Sequence, residues 1–369
     1  MNKFGFIAHP IDLTSFYDFL GPLGKIAKKL PRNMVKYITS ILPSYELCSY
    51  NNIRSSMGLS VSGIIAAVPL LPIQIASLPE ERVLDLIETG IRKCVKEGAQ
   101  IVGLGGFTSV VGNEGEVLSK RVSVPLTSGN ALTASLTLEG IYKATFLMNL
   151  TLSDCTVAIL GSTGDIGSIC TKILSKKVNK LNIAARNEKR LQEFSAIITR
   201  CGGAKVEVFK YTKDAVKEAD IILSATSSVS TIIEPEHLKP GCIVCDVSLP
   251  ANIAKEVTNI RNDIFVFEGG LAKIEHPEDI KKSILRNVLP RNSIFGCAAE
   301  TIALTFENKF EPYSIGRGNI TEEKIEKIRE IAVKHGIALS DFFCGDKFYT
   351  ERDIDNIIQN AERREDVCC

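Results

Sequence analysis

The sequence predicts an α/β protein built on a central six-stranded parallel sheet with helices on both faces. Three observations lead there. From Cys155 onward, short apolar runs alternate with amphipathic segments, the order that parallel strands joined by right-handed crossovers require. The first run, Thr156-Val157-Ala158-Ile159-Leu160, ends in the turn Gly161-Ser162-Thr163-Gly164-Asp165-Ile166-Gly167, which opens an amphipathic segment, Ile166 to Lys176. A chain of 369 residues leaves more than a hundred on either side of that turn, enough for flanking domains. The expected organisation is an N-terminal α/β domain over 1–130, the parallel-sheet domain over 131–290, and a C-terminal helical region over 291–369.

The elements follow in order. Phe4 to Ile7 reads as a short strand, and Phe16 to Ile41 as one or two helices broken near Pro31. Met57 to Leu78 carries no charge and is long enough to span a bilayer. It also holds Gly58, Gly63, Pro69 and Pro72, so a broken strand and loop feeding a buried core is expected instead. Glu80 to Glu97 places Val83, Leu84, Leu86 and Ile87, then Ile91, Cys94 and Val95, at helical spacing. Ala99 to Leu104 is a buried strand that ends in the tight turn Gly105-Gly106-Phe107-Thr108-Ser109. Thr127-Ser128-Gly129-Asn130 then caps a helix from Ala131 to about Met148.

Strands are expected at 156–160, 181–185, 205–209, 220–225, 242–247 and 263–268. Helices fit at 165–177, 188–200, 213–219 and 251–258, with the domain ending near Pro290. A helix from Phe295 to Glu307, a turn at Tyr313 to Gly318, and a charged helix from Thr321 to His335 complete the C-terminal region. The tail 361–369 is expected to fray.

Composition sets bounds. Charged residues make up 24% and the net charge is +1, so no global field draws the chain to nucleic acid or membrane. Its 11 cysteines are odd in number and irregularly spaced, and Met1 to Phe6 lacks the apolar core of a signal peptide. Free thiols in a reducing cytoplasm are expected. Cys242 and Cys245 are three apart on a strand and point to opposite faces. No His, Cys or Asp cluster has metal-ligand spacing.

A strand, a glycine turn and a helix in succession form a pyrophosphate cradle. Glycines let the backbone approach, and the helix N-terminus offers free N–H groups and partial positive charge. Gly161, Ser162, Thr163, Gly164, Asp165, Ile166 and Gly167 are therefore candidate ligands of a dinucleotide on a Rossmann-type sheet. At the end of the second strand, sites for NAD place an acid against the ribose hydroxyls. This chain has Arg186-Asn187 there, and a guanidinium pairs with a 2′-phosphate, so the expected cofactor is NADPH. Strand C-termini point next to Thr226 and Ser227, to Val247-Ser248-Leu249-Pro250, and to Gly269-Gly270.

Several stretches together resemble the cyanobacterial-type long-chain acyl-[acyl-carrier-protein] reductases. They are Phe4-Gly5-Phe6-Ile7-Ala8-His9, Gly105 to Ser109, Thr127 to Asn130, Gly161 to Ser168, Ala185-Arg186-Asn187, Gly269-Gly270 and Phe295-Gly296-Cys297-Ala298-Ala299-Glu300, in matching order. The resemblance implies that Cys297 is acylated by a fatty acyl thioester, on acyl carrier protein or CoA, and that NADPH reduces the acyl group to the aldehyde. An aldehyde-consuming partner enzyme would fit. The glycine motif alone also fits shikimate-dehydrogenase-like enzymes that reduce a small ketone without covalent catalysis.

The residues speak to Cys297 independently. It falls in the first turns of an expected helix, where a thiol's pKa is lowered, and thiolate is the nucleophile that thioester exchange requires. Glu300 would oppose ionisation and is expected to point away or serve structure. Thr108, Ser109 and Asn130 are candidate oxyanion donors by position, and Phe107 with the uncharged Met57 to Leu78 stretch is a candidate lining for an acyl chain. His9 is a candidate neighbour of the site. Lys25, Lys28, Lys29, Arg32 and Lys36 are spaced to share one helical face, a possible dock for an acidic carrier.

Overall fold

In the computed structural model, which describes residues 1–369 apart from 229–232, 252, 254, 277–288, 291 and 369, the chain folds as two compact units. One comprises Met1–Thr133 and Ala272–Ala338, the other Ala134–Leu271 and Leu339–Cys369.

The first unit is organised by a five-stranded sheet of order β2-β3-β1-β4-β5, with β1 Lys3–Ala8, β2 Tyr45–Arg54, β3 Ser60–Ala67, β4 Ile101–Leu104 and β5 Leu126–Thr127. Strands β1, β3, β4 and β5 run parallel, and β2 pairs antiparallel to β3. The helix Glu80–Lys96 lays Val83, Leu84, Ile87, Ile91 and Cys94 against Ile7, Ile64, Ala66, Val102 and Leu104, all fully buried. Each such aliphatic side chain contributes about 1.5–3 kcal/mol by leaving water, which holds the C-terminal ends of β1 and β4 in place. Past those ends lie His9 and a one-turn 3-10 segment, Gly106–Ser109.

The uncharged Met57 to Leu78 stretch forms β3 and a short helix, Pro72–Ser77. Among the described residues no helix is long and apolar enough to cross a membrane. The five basic residues do not ride one helix. Gly24–Ala27 is a single turn carrying Lys25, Lys28 and Lys29 follow it, and a new helix, Arg32–Ile41, carries Arg32 and Lys36. The break falls at Pro31, the N-cap of that second helix.

The second unit contains a six-stranded, wholly parallel sheet of order β11-β10-β9-β6-β7-β8. Its strands are β6 Thr156–Leu160, β7 Lys180–Ala184, β8 Lys205–Phe209, β9 Ile221–Ser224, β10 Ile243–Asp246 and β11 Phe265–Glu268. Every strand falls where apolar runs bounded by turn residues placed it. Helices Asp165–Leu174, Glu188–Cys201, Thr212–Val216 and Lys255–Ile260 connect them. Residues 252 and 254, within the helix expected at 251–258, lie outside the described residues. The strand order reverses between β6 and β9, so the crevice for a dinucleotide lies at the C-terminal ends of those two strands.

The tail departs from expectation. Instead of fraying, Glu351–Cys368 forms a helix whose Ile354, Ile357 and Ala361 are buried. The spacing of those three marks one helical face. Asn360 donates to the Asn262 carbonyl (3.1 Å), and Arg364 donates to Asp263 (3.0 Å). Asp263 is already held by both prongs of Arg261, at 2.7 Å each, so its carboxyl sits below the usual range despite burial.

Candidate active site

In the second unit, β6 delivers the chain into the glycine turn and the helix Asp165–Leu174 leaves it, with Gly164 as N-cap. Gly161 has φ +80°, and a Cβ there would lie 2.3 Å from the Ala225 carbonyl oxygen. A Cβ on Gly167 would lie 2.2 Å from the Gly161 oxygen. Both contacts are with backbone, which cannot rotate away, so only glycine lets strand, turn and helix come this close. Gly164 meets nothing nearer than 3.4 Å, leaving its outer side open to a ligand. Ser162 and Asp165 are buried, and Thr163 and Ile166 are half-buried.

Arg186 follows β7 and donates through Nη2 to Ser227 Oγ (2.9 Å), beyond β9. That bond brings the two expected cofactor-binding positions together across the strand ends. Asn187 caps the helix Glu188–Cys201, its Oδ1 accepting from the Arg190 N–H at 2.9 Å. The Thr226 N–H donates to Ser248 Oγ (3.3 Å), and Thr226 Oγ1 accepts from the Ser228 N–H (3.2 Å). An open glycine cradle with a cation in place of an acid at the second strand end fits a phosphate-bearing dinucleotide.

In the first unit, three turns far apart in sequence meet at Cys297. This residue is second in the helix Gly296–Phe306, within the turn whose N–H groups lack helical partners. Its sulfur receives the Ala298 N–H from that helix and the Gly106 N–H from the turn after β4. On the other side lies Gly129, φ +74°, where a Cβ would sit 2.1 Å from Cys297 Cα and 2.4 Å from its Cβ. Glycine is therefore required at 129 both for its backbone angle and for the space Cys297 occupies.

The expected lowering of the thiol's pKa does not occur. Burial pushes the Cys297 thiol up to about 11; the Gly106 and Ala298 N–H groups pull the other way, and the Glu300 charge adds to the rise. Cys297 is half-buried, and desolvation exceeds the effect of the helix terminus because it packs against the Gly106 and Gly129 turns as well as its own helix.

Glu300 lies one turn further along, fully buried. Its Oε1 accepts from Thr127 Oγ1 and from Ser314 Oγ (2.7 Å), and its Oε2 from the Leu132 N–H (2.8 Å). Burial raises its pKa, opposed by Thr127, Leu132, Ser314 and Ala131. The carboxyl thus serves structure, tying β5, the first turn of the helix Asn130–Leu147 and Ser314 to the helix that carries Cys297. The sequence singled out Thr127 only as part of a helix cap and Ser314 only within a turn, since their shared partner gives them this role.

His9 lies at the end of β1, buried. Burial lowers its pKa to about 4, against the bond to Pro10. It is therefore neutral, and its partners assign the tautomer: Nδ1–H donates to the Pro10 carbonyl (3.0 Å), and Nε2 accepts from the Phe107 N–H (2.9 Å). The imidazole meets the Phe107 ring edge-to-face at 6.0 Å between centroids. His9 thereby anchors the same turn that aims the Gly106 N–H at sulfur.

Of the expected oxyanion donors, Thr108 and Ser109 are buried, and their hydroxyls donate to the Gly105 and Gly106 carbonyls at 2.8 Å each. They brace the turn. Asn130 is buried at the start of its helix, its N–H donating to Ser128 Oγ (3.4 Å). The donors directed at the sulfur are backbone N–H groups.

Residues 144–268 match the shikimate / quinate 5-dehydrogenase family model. The chain is 32% identical over 279 residues to a long-chain acyl-[acyl-carrier-protein] reductase of Synechococcus elongatus, covering 70% of this chain and 79% of that protein. It is 29% identical over 338 residues to aminotransferase PigE of a Serratia species, covering 90% of this chain but only 39% of that longer protein. It is also 29% identical over 142 residues to glutamyl-tRNA reductase of Chlorobium phaeobacteroides, covering 36% of this chain and 32% of that one. The family match and the glycine cradle together make the six-stranded sheet a nicotinamide-dinucleotide-binding fold.

Proposed function

Because the chain belongs to the family of long-chain acyl-[acyl-carrier-protein] reductases, we propose that it reduces a long-chain fatty acyl thioester, carried on acyl carrier protein or CoA, to the fatty aldehyde. NADPH is the proposed reductant and Cys297 the proposed nucleophile. The observation that carries this reading is the convergence of the Gly106 and Gly129 turns on Cys297 at a helix N-terminus.

The chain's own residues perform the first step. With its pKa near 11, Cys297 rests as a thiol. Its sulfur attacks the acyl carbonyl, the bond to the carrier sulfur breaks, and the proton of Cys297 passes to the departing thiolate. Thiol and thioester are exchanged for thioester and thiol, so bond types are conserved. The Gly106 and Ala298 N–H groups are the donors available to charge developing beside the sulfur. His9, Thr108 and Ser109 hold the Gly106 turn rigid while they do so.

The glycine cradle Gly161 to Gly167, with Arg186, Asn187, Thr226 and Ser227, would hold the dinucleotide, and the guanidinium of Arg186 would pair with its 2′-phosphate. When bound, the reduced nicotinamide supplies a hydride. With that hydride and one proton, the Cys297 thioester yields aldehyde and regenerated thiol. Phe107 and residues of the Met57 to Leu78 stretch are proposed to face the acyl chain.

A small-ketone dehydrogenase is less well supported. The shikimate / quinate model matches only residues 144–268, which bear on the cofactor and not on the substrate. The test is NADPH oxidation against a panel of acyl thioesters of graded length, with aldehyde detected by gas chromatography. Oxidation without aldehyde, or none with any thioester, would overturn the proposal.

A further inference from the structure

The helix Arg32–Ile41 carries more apolar surface than the fold covers. Its inward side presents Val35 and Thr39, buried, with Ile38 and Leu42 half-buried, against a small core around Phe16 and Leu71. Met34, Tyr37 and Ile41 stand at i, i+3 and i+7 beside that side and are 51%, 65% and 55% exposed. Leaving out Thr39, the apolar residues span an arc of about 160° at 3.6 residues per turn. A surface helix needs only about 100° of that to face its core. Just before the helix, Leu23 and Ile26 are each 63% exposed.

Within this segment the charge is of one sign. From Phe19 to Tyr45 the sequence has no Asp or Glu, and Lys25, Lys28, Lys29, Arg32 and Lys36 are all exposed. Arg82 adds another cation at the helix end, donating to the Ser40 carbonyl.

We propose that the segment Leu23–Ile41 docks on an anionic lipid bilayer, with Leu23, Ile26, Met34, Tyr37 and Ile41 entering the headgroup boundary and the surrounding cations meeting lipid phosphates. An apolar sector bordered by cations is what interfacial helices present, and a cluster of Lys and Arg draws them to anionic leaflets. Four of the five cations in the segment are lysines. Protein interfaces favour arginine and deplete lysine, whereas lysine stems lie along an apolar boundary with the ammonium in water. A second copy of this chain would set like charges against one another in a symmetric contact. The inference stands on this surface and not on the thioester chemistry, so the two fail separately.

The test is co-sedimentation of the full chain with vesicles of equimolar phosphatidylcholine and phosphatidylglycerol, and with phosphatidylcholine alone. Binding is expected to the anionic vesicles and to weaken at high salt. A triple variant, Lys25→Glu with Lys29→Glu and Lys36→Glu, is expected to lower partitioning at least about tenfold. The double variant Met34→Ser with Ile41→Ser is expected to lower it at unchanged charge. Unshifted melting curves, expected for exposed positions, show that the variants fold. Failure of the full chain to pellet with anionic vesicles overturns the proposal. So does wild-type pelleting by both variants. If the variants lose binding to an acidic carrier protein while vesicle partitioning stays unchanged, the surface is a protein dock and the proposal is wrong.

Discussion

Replacing Gly129 by alanine tests the geometry around Cys297 with one methyl group. The residue has φ +74°, and the new Cβ would lie 2.1 Å from Cys297 Cα. Alanine in a left-handed conformation costs about 1–2 kcal/mol. An ordinary contact needs more than another ångström, so either the turn or the helix N-terminus must move, at about 1–3 kcal/mol. The expected loss is about 2–5 kcal/mol, roughly 5–15 °C in melting temperature for a unit of this size. Displacing the sulfur by about 1 Å is expected to slow its acylation on the order of a hundredfold. Thermal melting followed by circular dichroism and single-turnover acylation read the two effects. Gly203→Ala is the control, since a Cβ there meets nothing within 4 Å and should change stability by under about 0.5 kcal/mol. A Gly129→Ala protein with wild-type melting and acylation would refute the close approach of this turn to Cys297.

Three further outcomes are expected. Burial pushes the Cys297 thiol up to about 11, so its alkylation by iodoacetamide, followed on the Cys297 peptide, should quicken about tenfold per pH unit between pH 7 and 10; a plateau near neutrality would contradict this. His9 has a pKa near 4 in the fold against 6.5 free, so the unfolded chain binds the extra proton and stability should fall by about 3 kcal/mol as pH drops from 6.5 through 4. Denaturant titrations of a His9→Gln variant should lack that slope, and Gln should sustain Cys297 acylation better than Leu, because its carbonyl can still accept the Phe107 N–H. Arg186→Asp should shift cofactor preference toward NADH by about ten- to a hundredfold in kcat/KM; an unchanged ratio would remove Arg186 from 2′-phosphate recognition.

The parallel sheet was legible because each of its strands is an apolar run closed by a turn signal, as in Thr156–Leu160 before Gly161. β2 was not, because Cys48-Ser49-Tyr50-Asn51-Asn52 has no clean alternation and the strand is held by its pairing to β3. The terminal helix was missed although Ile354, Ile357 and Ala361 gave a helical spacing. At Cys297, sequence placed the thiol at a helix N-terminus. It could not count what else encloses it, since Gly106, Gly129 and Cys297 are brought together only by the sheet. The pKa was therefore expected to move the wrong way. Glu300 was expected to oppose ionisation, and so either to point away or to serve structure; its charge still acts on Cys297, and its hydrogen bonds to Thr127, Leu132 and Ser314 follow the second alternative.

The central proposal is a covalent link between the fatty acyl group and Cys297. Its most direct test is peptide mass spectrometry after incubating the protein with a labelled long-chain acyl thioester and no dinucleotide. The account predicts an acyl adduct on the peptide containing Cys297, discharged as aldehyde when NADPH is added and absent in Cys297→Ser. Aldehyde formation by Cys297→Ser, or a wild-type protein that turns over without ever carrying label at Cys297, would contradict it.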